Sequence, residues 1–145
     1  MATGDPAFDP DRLLAAARQV RRNAYAPYSG FSVGAALLEE SGRIHLGVNV
    51  ENASYGLSAC AEWSAIASAV TIGARSFRAI AVAGPRDEVP CMPCGRCRQI
   101  LHELAPDLIV VVAEPSGGSR TMPLTQLLPS AFDAQTLRTE RPVES

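Results

Sequence analysis

The sequence contains no lysine; all 13 of its basic residues are arginine. Schiff-base catalysis, pyridoxal-phosphate anchoring and a P-loop lysine are thereby excluded. Histidine occurs only at His45 and His102, neither at ligand spacing to the cysteines, and both read as surface residues, one on a strand and one on a helix. Nowhere does an apolar run approach the ~18 residues that a membrane helix needs. An excess of positive charge is missing too: 13 basic residues face 15 acidic ones, a net charge of −2, scattered along the chain. Proteins that grip phosphate backbones gather basic residues into a patch, so no nucleic-acid partner is expected. The opening residues Met1–Pro6 carry neither a basic region nor an apolar stretch, and the sequence predicts a cytoplasmic protein.

What is present suits one domain. At 145 residues, 47% hydrophobic and 19% charged, the chain can bury a core without disulfide staples. We expect a single domain over residues 1–145, with tails at about 1–8 and 134–145. The four cysteines are Cys60, Cys91, Cys94 and Cys97, three of them within seven residues. In an intracellular chain such clustering points to metal or redox chemistry rather than to structural disulfides.

Apolar residues at Leu13, Leu14, Ala17 and Val20 predict an amphipathic helix over 11–25, with Asp9 or Asp11 as its cap. Residues 31–38 read as a buried strand and, after the Ser41-Gly42 turn, 44–50 as its antiparallel partner. An Ala-rich helix runs from Cys60 to Val70, stopped by Gly73. A strand follows over 78–84, then a helix from Cys94 to Ala105 stopped by Pro106, and a strand over 108–113. Residues 123–128 suggest a short helix, and 132–145 a polar tail. The order α-β-β-α-β-α-β, with right-handed crossovers, predicts an α/β fold of three layers, α/β/α. Its mixed sheet would begin with an antiparallel hairpin and end in parallel strands.

Cys94-Gly95-Arg96-Cys97 places two thiols at the start of one predicted helix, and Cys60 starts the other. Tetrahedral zinc takes thiolates readily, and helix N-termini favour thiolate over thiol. Helices that begin at one sheet edge would bring the three sulfurs together. Three protein ligands leave an open position, the mark of a catalytic zinc that makes water acidic. Glu62, two residues after Cys60 on the first helical turn, can take a proton from water and return it to a leaving amine.

Cys60-Ala61-Glu62 followed by Pro93-Cys94-Gly95-Arg96-Cys97 is the arrangement of the zinc deaminases, with Cys in place of a first His. The likeness extends to 25–36, to Asn49-Val50-Glu51-Asn52-Ala53-Ser54-Tyr55, to Arg98-Gln99 and to 127–132. In this set the chain resembles the small homotetrameric cytidine deaminases, in order from about Tyr25 to Phe132. The resemblance implies hydrolytic deamination of cytidine and deoxycytidine in pyrimidine salvage, with one zinc per subunit on Cys60, Cys94 and Cys97 and Glu62 as proton shuttle. It further implies a substrate site of Phe31, Asn49, Glu51, Tyr55, Ala61 and Phe132. In it Asn49 and Glu51 bind the ribose, Phe31 packs on the base and Phe132 reaches a neighbouring subunit's site. One residue departs from the pattern: Trp63 stands where the family has an arginine that hydrogen-bonds the thiolates. Arg96, Arg98 or helix N–H groups are the candidates to replace it.

Other readings of the same residues are a blasticidin-type cytosine-nucleoside aminohydrolase and a non-catalytic binding module closed around zinc by all four cysteines. A thioredoxin-like role for Cys94 and Cys97 would leave Cys60 and Glu62 unexplained. Cys91 reads as a spare loop thiol.

Overall fold

Asp9 opens the first element of the computed structural model, which describes residues 8–139. Its carboxylate accepts the backbone N–H groups of Asp11 and Arg12 at 3.0 and 3.3 Å, with Pro10 at a first-turn position where its missing N–H costs nothing. Helix α1 (Pro10–Arg21) buries the stripe Leu13, Leu14 and Ala17. It lies directly on strand β1 (Gly34–Glu39), because a side chain at Gly34 would run into the Ala17 carbonyl and the Arg21 backbone.

Strand β2 (Ile44–Val48) pairs antiparallel with β1 as expected, but its inward face is the polar one. His45 and Gly47 are buried, while Ile44 and Leu46 are 40% and 45% exposed. The cause is Gly47: any side chain there would strike the Ala61 carbonyl and the Ala65 backbone N of helix α2 (Ala61–Thr71). Gly47 must face that helix, and with a side-chain period of two His45 faces inward too. The expectation of a surface His45 is therefore corrected; its Nε2 lies 2.9 Å from Glu39 Oε2.

Strands β3 (Phe77–Ala83) and β4 (Ile109–Ala113) flank helix α3 (Gly95–Leu104) in sequence and pair in parallel. The sheet order is β2-β1-β3-β4-β5. Its last member, β5 (Ser119–Pro123), is an antiparallel edge strand that the sequence reading did not include. It follows a turn in which Gly117 and Gly118 take φ of 109° and 74°. Helix α4 (Leu124–Leu127) follows, and α5 (Ala134–Thr139) occupies part of the stretch read as a polar tail. The outer parts of the expected tails, 1–7 and 140–145, lie outside the described residues.

The alternation of the central strands divides the core between the two sheet faces. Ala36, Leu38, Ala79, Ala81 and Val111 pack with α1. Ala35, Leu37, Ile80, Val82, Val110 and Val112 pack with Ala65, Ile66 and Ala69 of α2 and Leu101 of α3. The three layers and the mixed sheet agree with the sequence reading. Both β2 and β3 run antiparallel to β1, so they point the same way. Helices α2 and α3, which follow them, therefore start at the same edge of the sheet.

Candidate active site

That edge is where the chemistry collects. Cys60 and Cys94 are the N-cap residues of α2 and α3, and Cys97 lies on the first turn of α3. The three sulfurs lie within 4.8 Å of one another; Cys91 is not one of the cluster. Tetrahedral bonds of about 2.3 Å put neighbouring thiolates about 3.8 Å apart, and the Cys60 and Cys94 Sγ atoms are separated by 3.8 Å. The donor set and its spacing fit zinc.

The thiols are unequal. Burial raises Cys97 above its ordinary value, with the charges of Glu62 and Cys60 adding to the effect. Burial raises Cys60 as well. Burial alone would also raise Cys94, but the pull of the Cys97 backbone N–H and of the Cys97 and Cys60 thiols holds it below its ordinary value. Of the three, Cys94 is the one held below its ordinary value, at the positive end of α3.

Glu62 is 5% exposed on the first turn of α2. Burial raises its carboxyl above the usual carboxylate range, against the opposing pull of its own backbone N–H and of the Cys97 thiol. A carboxyl raised in this way holds a proton more readily than a free one, which suits a general acid–base group. Glu62, Cys60 and Cys94 line one cavity of about 280 Å³, together with Phe31, Asn49, Glu51 and Ala61.

Backbone pairing delivers Asn49 and Glu51 to this cavity. Val50 exchanges hydrogen bonds with Ala59 at 2.9 Å, while Asn49 O and Glu51 N pair with Tyr25 at 3.0 and 2.8 Å. Their side chains clamp the loop that carries Phe31. Glu51 Oε1 accepts the Tyr28 and Ser29 N–H groups at 3.0 and 3.1 Å, and Oε2 accepts the Ser29 hydroxyl at 2.6 Å. Asn49 accepts the Val33 N–H at 2.9 Å and donates to the Phe31 carbonyl at 2.7 Å. The bonds from Ser29 and Tyr28 lower the Glu51 pKa, the Ser29 hydroxyl most and then the Ser29 N–H. A carboxylate has about four lone-pair sites and an amide two N–H donors, so both side chains retain capacity for a ligand.

Not every expected residue meets there. Tyr55 lines a neighbouring recess of about 300 Å³ that shares Glu51 and Ser58 with the main cavity, and its ring meets that of Tyr28 edge-on at 6.1 Å. Phe132 is 58% exposed and lines none of these cavities; its carbonyl accepts Gln99 Nε2 at 2.9 Å. Conversely, Cys91 and Met92 line the main cavity. In sequence Cys91 reads as a spare loop thiol, yet its place three residues before Cys94 ties it to the same loop.

Trp63, on the helix turn that carries Glu62, is 38% exposed. The arginines offered in place of its missing cation are bonded to backbone. Arg96 Nη1 donates to the Ser58 carbonyl at 3.2 Å, two residues before Cys60. Arg98 donates to the carbonyls of Pro93 and Leu127, both at 2.7 Å. They hold the segments that lead into Cys60 and Cys94, and the backbone N–H of Cys97, at the start of α3, favours the Cys94 thiolate.

Residues 9–113 match the model of the cytidine and deoxycytidylate deaminase zinc-binding region. The chain is 44% identical over 131 residues to the cytidine deaminase of Halalkalibacterium halodurans, covering 90% of this chain and 98% of that protein. Among solved structures it resembles the cytidine deaminase of Burkholderia pseudomallei, with a TM-score of 0.80 and 48% identity over 86% of this chain and 100% of that one. The cytidine deaminase of Mycobacterium tuberculosis is similar as well, with a TM-score of 0.77, 41% identity, and 86% and 98% of the two chains covered.

Proposed function

This chain belongs to the cytidine deaminase family with its zinc-binding deaminase region, and on that footing we propose that it hydrolyses cytidine and deoxycytidine to uridine and deoxyuridine with release of ammonia. The observation that carries the reading is the meeting of three sulfurs within 4.8 Å with the buried carboxyl of Glu62 on the wall of the same cavity. Cys60, Cys94 and Cys97 would hold zinc, which when bound makes water acidic enough to act as a nucleophile near neutral pH.

Glu62 then moves the protons. Its carboxylate takes one from the attacking water and passes it to the ring nitrogen beside the amine-bearing carbon. It takes the second from the new hydroxyl and gives it to the departing amine. The carboxylate ends as it began, with one water consumed for each ammonia released. Phe31 packs on the base, and the spare capacity of Asn49 and Glu51 meets the ribose hydroxyls. A site built to bond those hydroxyls rejects analogues that lack them, because its own polar groups would be left unpaired. Ala61 is fully buried at the start of α2 and contributes the backbone wall beside the base.

Assembly as a homotetramer is part of the proposal, with Phe132 serving a neighbouring subunit's site. It is supported by the exposure of Phe132, Tyr55 and Leu57, at 58%, 77% and 70%. Cysteines clustered as for a metal rather than for disulfides suit a reducing compartment; with the nucleoside substrate this supports a place in cytoplasmic pyrimidine salvage.

The test is ultraviolet-monitored conversion of cytidine by the zinc-loaded protein, with Glu62→Gln as control. The parent should convert cytidine, and the variant should lose at least about a hundredfold in rate while still holding zinc. A zinc-loaded parent that leaves cytidine unchanged would overturn the reading.

A further inference from the structure

Two cavities in this fold share a wall. The catalytic cavity and a second, apolar recess of about 340 Å³ are both lined by Phe31 and Cys91. The recess is lined further by Gly84-Pro85, just after β3, and by Val89-Pro90 of the loop leading to Cys94. From the recess side, Gly84 packs closely on Cys91. A Cβ added there would stand 3.1 Å from Cys91 Cβ, 3.3 Å from Cys91 Sγ and 3.7 Å from Phe31 Cζ. The Cys91 side chain therefore fills the space that a side chain at 84 would need.

Cys91 lines the catalytic cavity together with Met92, Cys94 and Cys60. Under the deaminase reading the reacting carbon lies at those clustered cysteines, whereas the sugar would lie at Asn49 and Glu51. Burial, and next the charge of Glu62, push the Cys91 thiol up to about 11, which suits an inert wall and not a nucleophile.

We propose that Cys91 is a specificity-determining residue: it closes the apolar recess off from the base, and its truncation opens the site to cytosine nucleosides carrying an apolar substituent beside the reacting carbon. The substituent can sit on the neighbouring ring carbon or on the leaving amine. The inference rests on the deaminase reading. It concerns which bases fit, not which bond is hydrolysed.

The experiment compares kcat/KM for cytidine, 5-ethylcytidine and N4-ethylcytidine in the zinc-loaded parent and in Cys91→Ala. The ratio of each analogue to cytidine is read within one preparation, so incomplete folding or metal loading cancels. A methylene-sized change in an apolar pocket shifts such ratios by about tenfold or more. The truncated chain should raise at least one ratio by that factor, and the analogue that responds identifies the position facing the wall. Adding Val89→Phe, which fills the recess from its exposed rim, should cancel the gain. Gly84→Ala, made independently, presses Cys91 toward the base and should lower the same ratio, so the idea stays open to refutation even if Cys91→Ala folds poorly. Ratios unmoved by Cys91→Ala and by Gly84→Ala, in a chain that deaminates cytidine, would overturn the wall. A parent inactive on cytidine would instead bring down the deaminase reading beneath it.

Discussion

Asn49 and Glu51 each hold a loop in place with the same atoms that a sugar would seek. Glu51 bonds Tyr28 and Ser29, Asn49 bonds Phe31 and Val33, and the loop between them brings Phe31 to the cavity. Such a residue leaves a signature in stability as well as in binding. The folded-state pKa of Glu51 is lowered, the Ser29 hydroxyl contributing most, so the ionised form is favoured by folding. The stabilisation is fully present above the unfolded-state value of about 4.3 and is lost as pH falls through the lower, folded-state value. Glu51→Gln should therefore melt below the parent at pH 7, and the gap should close on acidification below about pH 4. Thermal melts of both proteins across that range provide the check; a gap of constant size would show that the carboxylate charge does not hold the loop.

At the scale of elements, the metal site is the meeting of two helix starts, and α3 also secures the segments leading into it. Arg98 holds the carbonyl before Cys94 and, with its other arm, the end of α4. We expect Arg98→Ala to release zinc to a chromophoric chelator about tenfold faster, in line with the effect of other supports around metal ligands. Arg98→Lys should not restore the rate, since a point ammonium cannot reproduce a fork spanning two carbonyls; parental release from Arg98→Ala would end the argument. The helix starts were legible in the sequence because their signals are local: Cys-x-x-Cys, Cys-x-Glu and the capping Asp9 lie within a turn of what they specify. The face of β2 was not legible, because alternation gives a period and not a side. The side is set by the contact of Gly47 with Ala61 and Ala65, made only when α2 folds back. Strand β5 escaped for another reason: Ser119-Arg120-Thr121-Met122-Pro123 has no apolar alternation and ends in proline, which is tolerated at an edge. Helix α5 did carry a local signal, Asp133, whose carboxylate accepts the Thr136 N–H at 2.8 Å. Asn49 and Glu51 were legible as site residues only through the family resemblance, and their second task, clamping the Phe31 loop, depends on partners some twenty residues away.

The molecule as a whole shows aromatic side chains that its own core does not use. Phe31 is half-exposed at the mouth of the catalytic cavity, and Phe132 projects from a segment moored to α3 through Gln99. If Phe132 completes the site of a neighbouring copy, the Glu62 and the Phe132 of one working site come from different chains. Two inactive chains should then repair one another. Glu62→Gln lacks the proton shuttle but keeps its donated ring, and Phe132→Ala keeps the shuttle but lacks the ring. Dissociated, mixed in equal amounts and reassembled, they form closed symmetric assemblies in which roughly a quarter of sites pair an intact Glu62 with an intact Phe132. Cytidine turnover should recover toward that fraction of the parent's rate. Mixing without dissociation should recover activity only as fast as intact assemblies trade subunits, so dissociation before mixing should raise the yield. Reassembled mixtures whose activity equals only the sum of the two variants' own residual rates would place Phe132 outside the catalytic assembly and leave each chain to complete its own site.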